Sequence, residues 1–415
     1  MLHNATADPL QGWVKNNDRG TQNIITACFS IIILCLWSML HLNLPAPDDT
    51  VWTVIKQRAR WMFLGLLYPE LVMCFAYAQM MSAITSHEDM LSLDIHPDHW
   101  SVVHGFYADM GGFVLKAPDF EAFPITSRQL YVLVSSGVLP FPEHFRREIT
   151  DKSKGNWFVK GIAVWQTAYI LVTIAIRLAK GLAVTPLEIM TATIGFCAFV
   201  TILLWWWKPL DVETPTIIHS ELKIAEIVRL IGPGTMDTWS DTPLDFAEPD
   251  VYLSRKWGRG LTRWIINMGL QARPMKRIPN DRDFKPKCLL HNQMLALPVA
   301  LSGALNIYSG YAFTFPTPAE QQAWIILSIM SIGALLVYGV SEVIGFNISG
   351  YKLYSMEILW AYKKRRGWCW LFHILACITL FTRLGLLGLS LATLRSLPKS
   401  CFVELGYFQL FNFVN

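Results

Sequence analysis

Long apolar runs separated by short polar intervals are the first pattern in this chain. The clearest extends from Thr191 to Trp207 and carries no charge before Lys208. Trp205, Trp206 and Trp207 stand just ahead of that lysine, where an aromatic belt at a lipid–water boundary belongs. Pro209 then ends the helix. A membrane crossing needs about 20 apolar residues. By that measure spans are predicted at 22–44, 62–84, 157–178, 186–207, 291–313, 324–347 and 369–393. The fold class that follows is all-α, a polytopic transmembrane helical bundle of about seven spans, with six to eight open. Pro69, Glu70 and Gln79 interrupt the second run, so a re-entrant or surface helix is the alternative there.

These runs divide the chain into five parts. Residues 1–21 form a polar N-terminal tail, and the first run is expected to stay in the membrane as a signal anchor. Residues 22–207 hold four spans and a loop at 85–156. A large loop fills 208–290, residues 291–393 hold the last three spans, and 394–415 form a C-terminal tail. In the large loop, the spacing of Ile217, Ile218, Leu222, Ile224, Ile227, Val228 and Ile231 predicts an amphipathic helix over 217–231. A basic, Trp-bearing segment from Arg255 to Arg277 fits a helix lying on an anionic leaflet, or ordinary loop packing.

Charge adds orientation. Only 16% of the 415 residues are charged, against about 25% in soluble domains. With seven spans, Lys and Arg number 26 on the side of the long loops and 6 on the other. Without the second span the numbers become 27 and 5, and the N-terminus changes side. Either way the long loops are expected in the cytosol, with the chain in the endoplasmic reticulum, another endomembrane or the plasma membrane. Asn4-Ala5-Thr6 is a glycosylation acceptor only if it is lumenal. The net charge of +4 is too small to imply nucleic acid. The eight cysteines include no CxxC and no zinc-site spacing, so buried thiols are expected, with no cofactor and no metal.

Candidate chemistry lies where ionisable groups enter apolar runs, because such groups are expensive there. Glu70 and Arg383 fall at similar depth and are predicted to pair. Glu342 lies too near one edge to prefer Arg383. Arg177 and Glu188 flank one lumenal turn and are expected to pair or snorkel there. His104 and Asp109, followed by Gly111-Gly112, suit a proton-handling pair near a membrane mouth. A solvated turn is the plain alternative. The histidines between His87 and His104 allow a metal reading, but Pro97 breaks the helix that would align His96 with His99. No Walker A loop, GxGxxG, GxSxG, HExxH or DDxxD occurs.

Several motifs point further. They are Arg19-Gly-Thr21, His41-Leu-Asn-Leu-Pro45, Pro69-Glu70, His104-Gly-Phe-Tyr-Ala-Asp-Met-Gly-Gly-Phe113, Gly181-Leu-Ala-Val-Thr-Pro-Leu-Glu188, Trp206-Trp-Lys-Pro-Leu-Asp-Val212, Arg277-Ile-Pro-Asn-Asp281 and Phe315-Pro-Thr317. In this order they resemble a largely uncharacterised group of fungal multi-pass integral membrane proteins. The chain departs from that group around Asn306, where a His is expected, and lacks an acidic residue after Arg383. The resemblance implies a fungal endomembrane or plasma-membrane protein, and some fungal multi-pass proteins are encoded beside natural-product pathways. Two function classes follow. One is a natural-product enzyme that cyclises or isomerises a lipophilic isoprenoid or polyketide, with Glu70, His104 or Asp109 as acid or base. The other is a transporter or sensor of a small metabolite along Glu70, Arg383 and Glu342. A non-catalytic scaffold is the third. Expected partners are the lipid bilayer, a lipophilic small molecule and membrane-bound pathway enzymes.

Overall fold

The structure, a computed structural model, describes residues 8–15, 19–142, 148–149, 156–232, 242–247, 251–252, 274–283, 296–349 and 366–405. Asn4 and most of the basic segment before Met275 lie outside the described residues, as does the side chain of Glu342. Eleven α-helices are described. They are α1 Thr21–Met39, α2 Val51–Leu67, α3 Pro69–Leu91, α4 Val102–Asp109, α5 Ser127–Ser135, α6 Asn156–Ala179, α7 Pro186–Leu204, α8 Ile224–Ile231, α9 Ala296–Ala312, α10 Pro318–Ser349 and α11 Arg366–Ala392. One three-stranded sheet joins β1 Phe113–Ala117, β2 Phe120–Ile125 and β3 Thr216–His219.

Among the described residues, five stretches are long and apolar enough to cross a membrane: Thr21–Met39, Lys160–Ala179, Pro186–Leu204, Pro318–Val337 and Ile374–Arg395. The bent pair α2–α3 raises this to six if it is one span. Helix α7 is the axis. Thr185 caps it by accepting from Glu188 N at 3.2 Å, and Pro186 fills its first turn. It is apolar on nearly every face, as a largely enclosed helix must be, and it packs on α1, α3, α6, α9 and α11. The outer helices turn large apolar side chains outward, among them Ile33 and Trp37 on α1, Trp165 on α6, Val340 on α10 and Phe381 on α11. Exposed apolar belts of this extent need a nonpolar surrounding.

The second predicted span is not one helix. It breaks at Tyr68, where α2 and α3 meet at 112°. Three ties show that the start of α2 lies at the same end of the bundle as the 208–290 loop. Asn43 N donates to Asn280 Oδ1, Arg277 bonds Asp49, and Arg58 bonds Asp211. The far end of α3 packs on α4 and α5 at that same end. The pair therefore dips into the bundle to the level of Glu70 and returns. Proline is the physical reason: at the first turn of a helix it starts a new one as readily as it interrupts an old one.

Residues 85–142 fold into a compact layer with part of the 208–290 loop. β1 and β2 form an antiparallel hairpin, and β3 joins β1 in parallel, from Phe113 opposite Thr216 to Lys116 opposite His219. The amphipathic stretch 217–231 is thus corrected to a strand followed by a helix. Ile217 and Ile218 are held in the ladder, with Thr216 N and Ser220 N donating to Gly112 O and Lys116 O. The helix starts only at Ile224, whose N–H donates to Asp119 Oδ1 at 2.8 Å. Trp100, Tyr107, Phe113, Phe123, Leu130 and Ile227 fill the core of the layer. Gly105 lets α4 lie directly on α3, since a Cβ there would sit 2.7 Å from Ala83 O.

Candidate functional site

The break at Tyr68 places a carboxylate inside the bundle. Tyr68 donates its hydroxyl to Ala376 O at 2.9 Å, which fastens the break to α11. Glu70 then falls in the first turn of α3, where unpaired N–H groups and the helix dipole favour an anion. Arg383 Nη2 meets Glu70 Oε1 at 2.5 Å, and Ser302 Oγ donates to the same oxygen at 3.0 Å. Glu70 is 2% exposed and Arg383 8%. The structure thus brings together the two charged residues singled out by depth.

A cavity adjoins this pair. It is lined by Ser302 and Asn306 of α9, Ser328 and Ser331 of α10, and Arg383 of α11, with Val299, Gly303, Ile332, Leu335 and Leu386 completing the wall. Its volume is about 10 Å³, about enough for one water. Ser328 Oγ, Ser331 Oγ and Arg383 Nε are buried and have no hydrogen-bond partner among the described residues. Gly303 is what lets α9 and α10 approach, because a Cβ there would collide with Ile332. Trp324 locks the next turn by donating Nε1 to Asn306 O and Ser309 Oγ, both at 3.0 Å.

A second polar centre lies where the bundle meets the α/β layer. Lys208 is buried and donates Nζ to Asn43 Oδ1 at 3.0 Å and Gln79 Oε1 at 2.8 Å, with the Trp205 ring 4.7 Å away. Trp205 Nε1 donates to Gln79 Oε1, Gln79 Nε2 to Asn280 O, and Asn43 Nδ2 to Ile278 O and Pro279 O. Burial pushes the Lys208 ammonium down to about 7, while the Asp109 carboxylate pulls it up. Reading ionisable groups in spans missed Asn43, Gln79 and Asn280, because amides carry no charge to attract notice. The motif segments beginning at His41, His104, Trp206 and Arg277 were the available signal, and they converge here. Of the three tryptophans, Trp205 is buried in this network and only Trp206 and Trp207 are exposed.

His104 and Asp109 belong to the α/β layer beside this second centre. Asp109 accepts from Ser82 Oγ at 2.6 Å and from Ser127 N at 3.0 Å, so it ties α3 to the first turn of α5. His104 Nδ1 accepts from Ser101 N at 3.0 Å in a capping box, and its ring stacks on Trp100. Both residues hold the layer together, and Glu70 sits apart from them in the bundle. At the opposite end, the expected pairing of Arg177 with Glu188 is corrected. Glu188 pairs with Arg19 at 2.5 Å. Arg177 is fully buried, not snorkelling, and donates to the carbonyls of Ala183, Ser400, Cys401 and Val403. The returning C-terminal segment, whose Leu397–Pro398 pairs with Leu10–Gln11, supplies the last three of these acceptors, and Ala183 lies in the turn before α7. Among the described residues no group of three or more His, Cys, Asp or Glu side chains is placed to hold a metal ion.

Residues 1–232 match the model of a family described as a family of unknown function (DUF8562). No curated protein and no solved structure matches the chain.

Proposed function

We propose, starting from the fact that the chain belongs to the family of unknown function DUF8562, that it is a transporter moving a small polar solute through a helical bundle. The observation that carries this reading is the Glu70–Arg383 pair beside a polar cavity with three unpartnered buried groups. Such groups inside apolar helices are costly and mark solute or ion pathways. An acid–base enzyme for an isoprenoid or polyketide is supported less. It needs a chamber of several hundred Å³ with largely apolar walls, whereas this cavity is water-sized and Ser, Asn and Arg make up half of its lining.

The reading includes six crossings, by α1, α6, α7, α9, α10 and α11, with α2–α3 re-entrant. The 27-to-5 division of Lys and Arg favours a cytosolic α/β layer and a lumenal N-terminus. In a eukaryotic secretory membrane Asn4 should then carry a glycan, read as an endoglycosidase-sensitive mass shift that Asn4→Gln removes. A bare Asn4 beside a glycosylated control sequon placed in the 179–185 turn would contradict the six-crossing arrangement.

Transport itself is testable in vesicles of phosphatidylcholine and phosphatidylglycerol. Reswelling after osmotic shock would be followed with glycerol, urea, and the potassium salts of chloride, formate and acetate, with valinomycin carrying the cation. At least one solute should enter faster than in protein-free vesicles, and Glu70→Gln should change that rate about tenfold or more. If no solute enters faster, the transport reading is wrong.

A further inference from the structure

The cavity beside Glu70 has a donor set that selects its occupant. Arginine has five N–H donors and no acceptor. Arg383 uses Nη2 on Glu70, and among the described residues its Nε is without a partner. Ser328 and Ser331 add two hydroxyls with no partner, each nine-tenths or more buried. A guanidinium N–H and two rotatable O–H donors around one small space suit a small anion. A cation would meet the guanidinium charge at contact distance.

Charge balance adds a condition. The Glu70–Arg383 pair is neutral as it stands, and an anion placed beside it leaves one uncompensated negative charge in a low-dielectric interior. That is prohibitively costly. A proton on Glu70 restores neutrality and frees Arg383 from its partner. The other titratable groups around the pair are Tyr68, Cys74, Cys197 and Cys377. Phenols and thiols are ordinarily uncharged at neutral pH, so they do not supply this compensation.

We infer that the space lined by Arg383, Ser328 and Ser331 is a binding site for a small monovalent anion of about chloride's size, taken up together with one proton on Glu70. This rests on the transport reading for its purpose, but binding can be measured without transport. The proton goes to a Glu70 carboxylate oxygen, the ion pair opens, and the anion takes the place of the carboxylate on Arg383. No covalent bond changes.

The test uses the full chain in detergent, with thermal unfolding followed in chloride against gluconate at fixed ionic strength. Chloride should stabilise the native protein in a saturable way. Its apparent Kd should fall about tenfold per unit drop in pH, as uptake of one proton per anion requires. In Glu70→Gln, which is permanently neutral, chloride should bind at every pH with no such slope. Ser328→Ala with Ser331→Ala, which leaves the ion pair intact, should weaken chloride at least tenfold. No difference between chloride and gluconate would mean that a water alone fills the space, and the inference falls. Chloride binding without a pH slope overturns the proton coupling. Binding in detergent without flux in vesicles defeats the transport reading and leaves the site standing. Flux of another solute with no effect of chloride does the reverse.

Discussion

Arg383→Gln alone should destabilise the chain by about 3–5 kcal/mol, because it strands a buried carboxylate without its cation. Of its two hydrogen-bonding side chains in the bundle, Glu70 would keep Ser302. Glu70→Gln with Arg383→Gln should recover most of the loss, since two neutral amides can hydrogen-bond with no charge left over. Reversible unfolding in mixed micelles, monitored by tryptophan fluorescence, measures all the variants together. If the double variant is as unstable as Arg383→Gln, the cost does not come from a stranded charge. A neighbouring thiol fits the same view of the interior: Cys197 is fully enclosed beside the pair.

Lys208→Met should erase a rise in stability that the native chain shows between about pH 7 and pH 10. Burial holds the folded-state ammonium at about 7, against an ordinary 10.5. Between those values the unfolded chain binds the extra proton and the folded chain does not, so stability increases with pH. Below pH 7 both states are protonated, and the full penalty of the buried charge is present. Over the whole window the effect is on the order of 5 kcal/mol at most. The difference in melting temperature between the native chain and Lys208→Met, measured in one detergent from pH 6 to 9.5, isolates it from other titrations. Parallel curves would show that Lys208 is not a buried ammonium in the folded protein.

The two polar centres were legible in the chain to different degrees. Glu70 and Arg383 stood out because ionised groups are rare in apolar runs, and helical rise sets their depth. Ser302, Ser328 and Ser331 did not stand out, since serine is common in membrane helices and only packing shows which hydroxyls meet. Lys208 read as a residue just past a helix end, ready to face water. In the structure, Asn43, Gln79 and Asn280 enclose it from three distant segments.

The apolar pattern alone determined the helices of the bundle. Runs predicted at 157–178 and 186–207 became Asn156–Ala179 and Pro186–Leu204, because twenty apolar residues in sequence have few other stable forms in a nonpolar surrounding. The paired charges were also within its reach. What only the tertiary structure decided was direction and partnership. Pro69 permits a kinked crossing or a turn back, and contacts of Asn43, Asp49 and Arg58 with residues more than a hundred positions away selected the turn back. Ile217–Ile231 has a helical pattern, yet β1 offered an open edge, and backbone groups at Gly112 and Lys116 drew its first residues into a strand. Local periodicity sets which faces are apolar. Which backbone and side-chain groups find partners depends on residues far along the chain, and that decided both the turn at Tyr68 and the polar cavity beside Glu70.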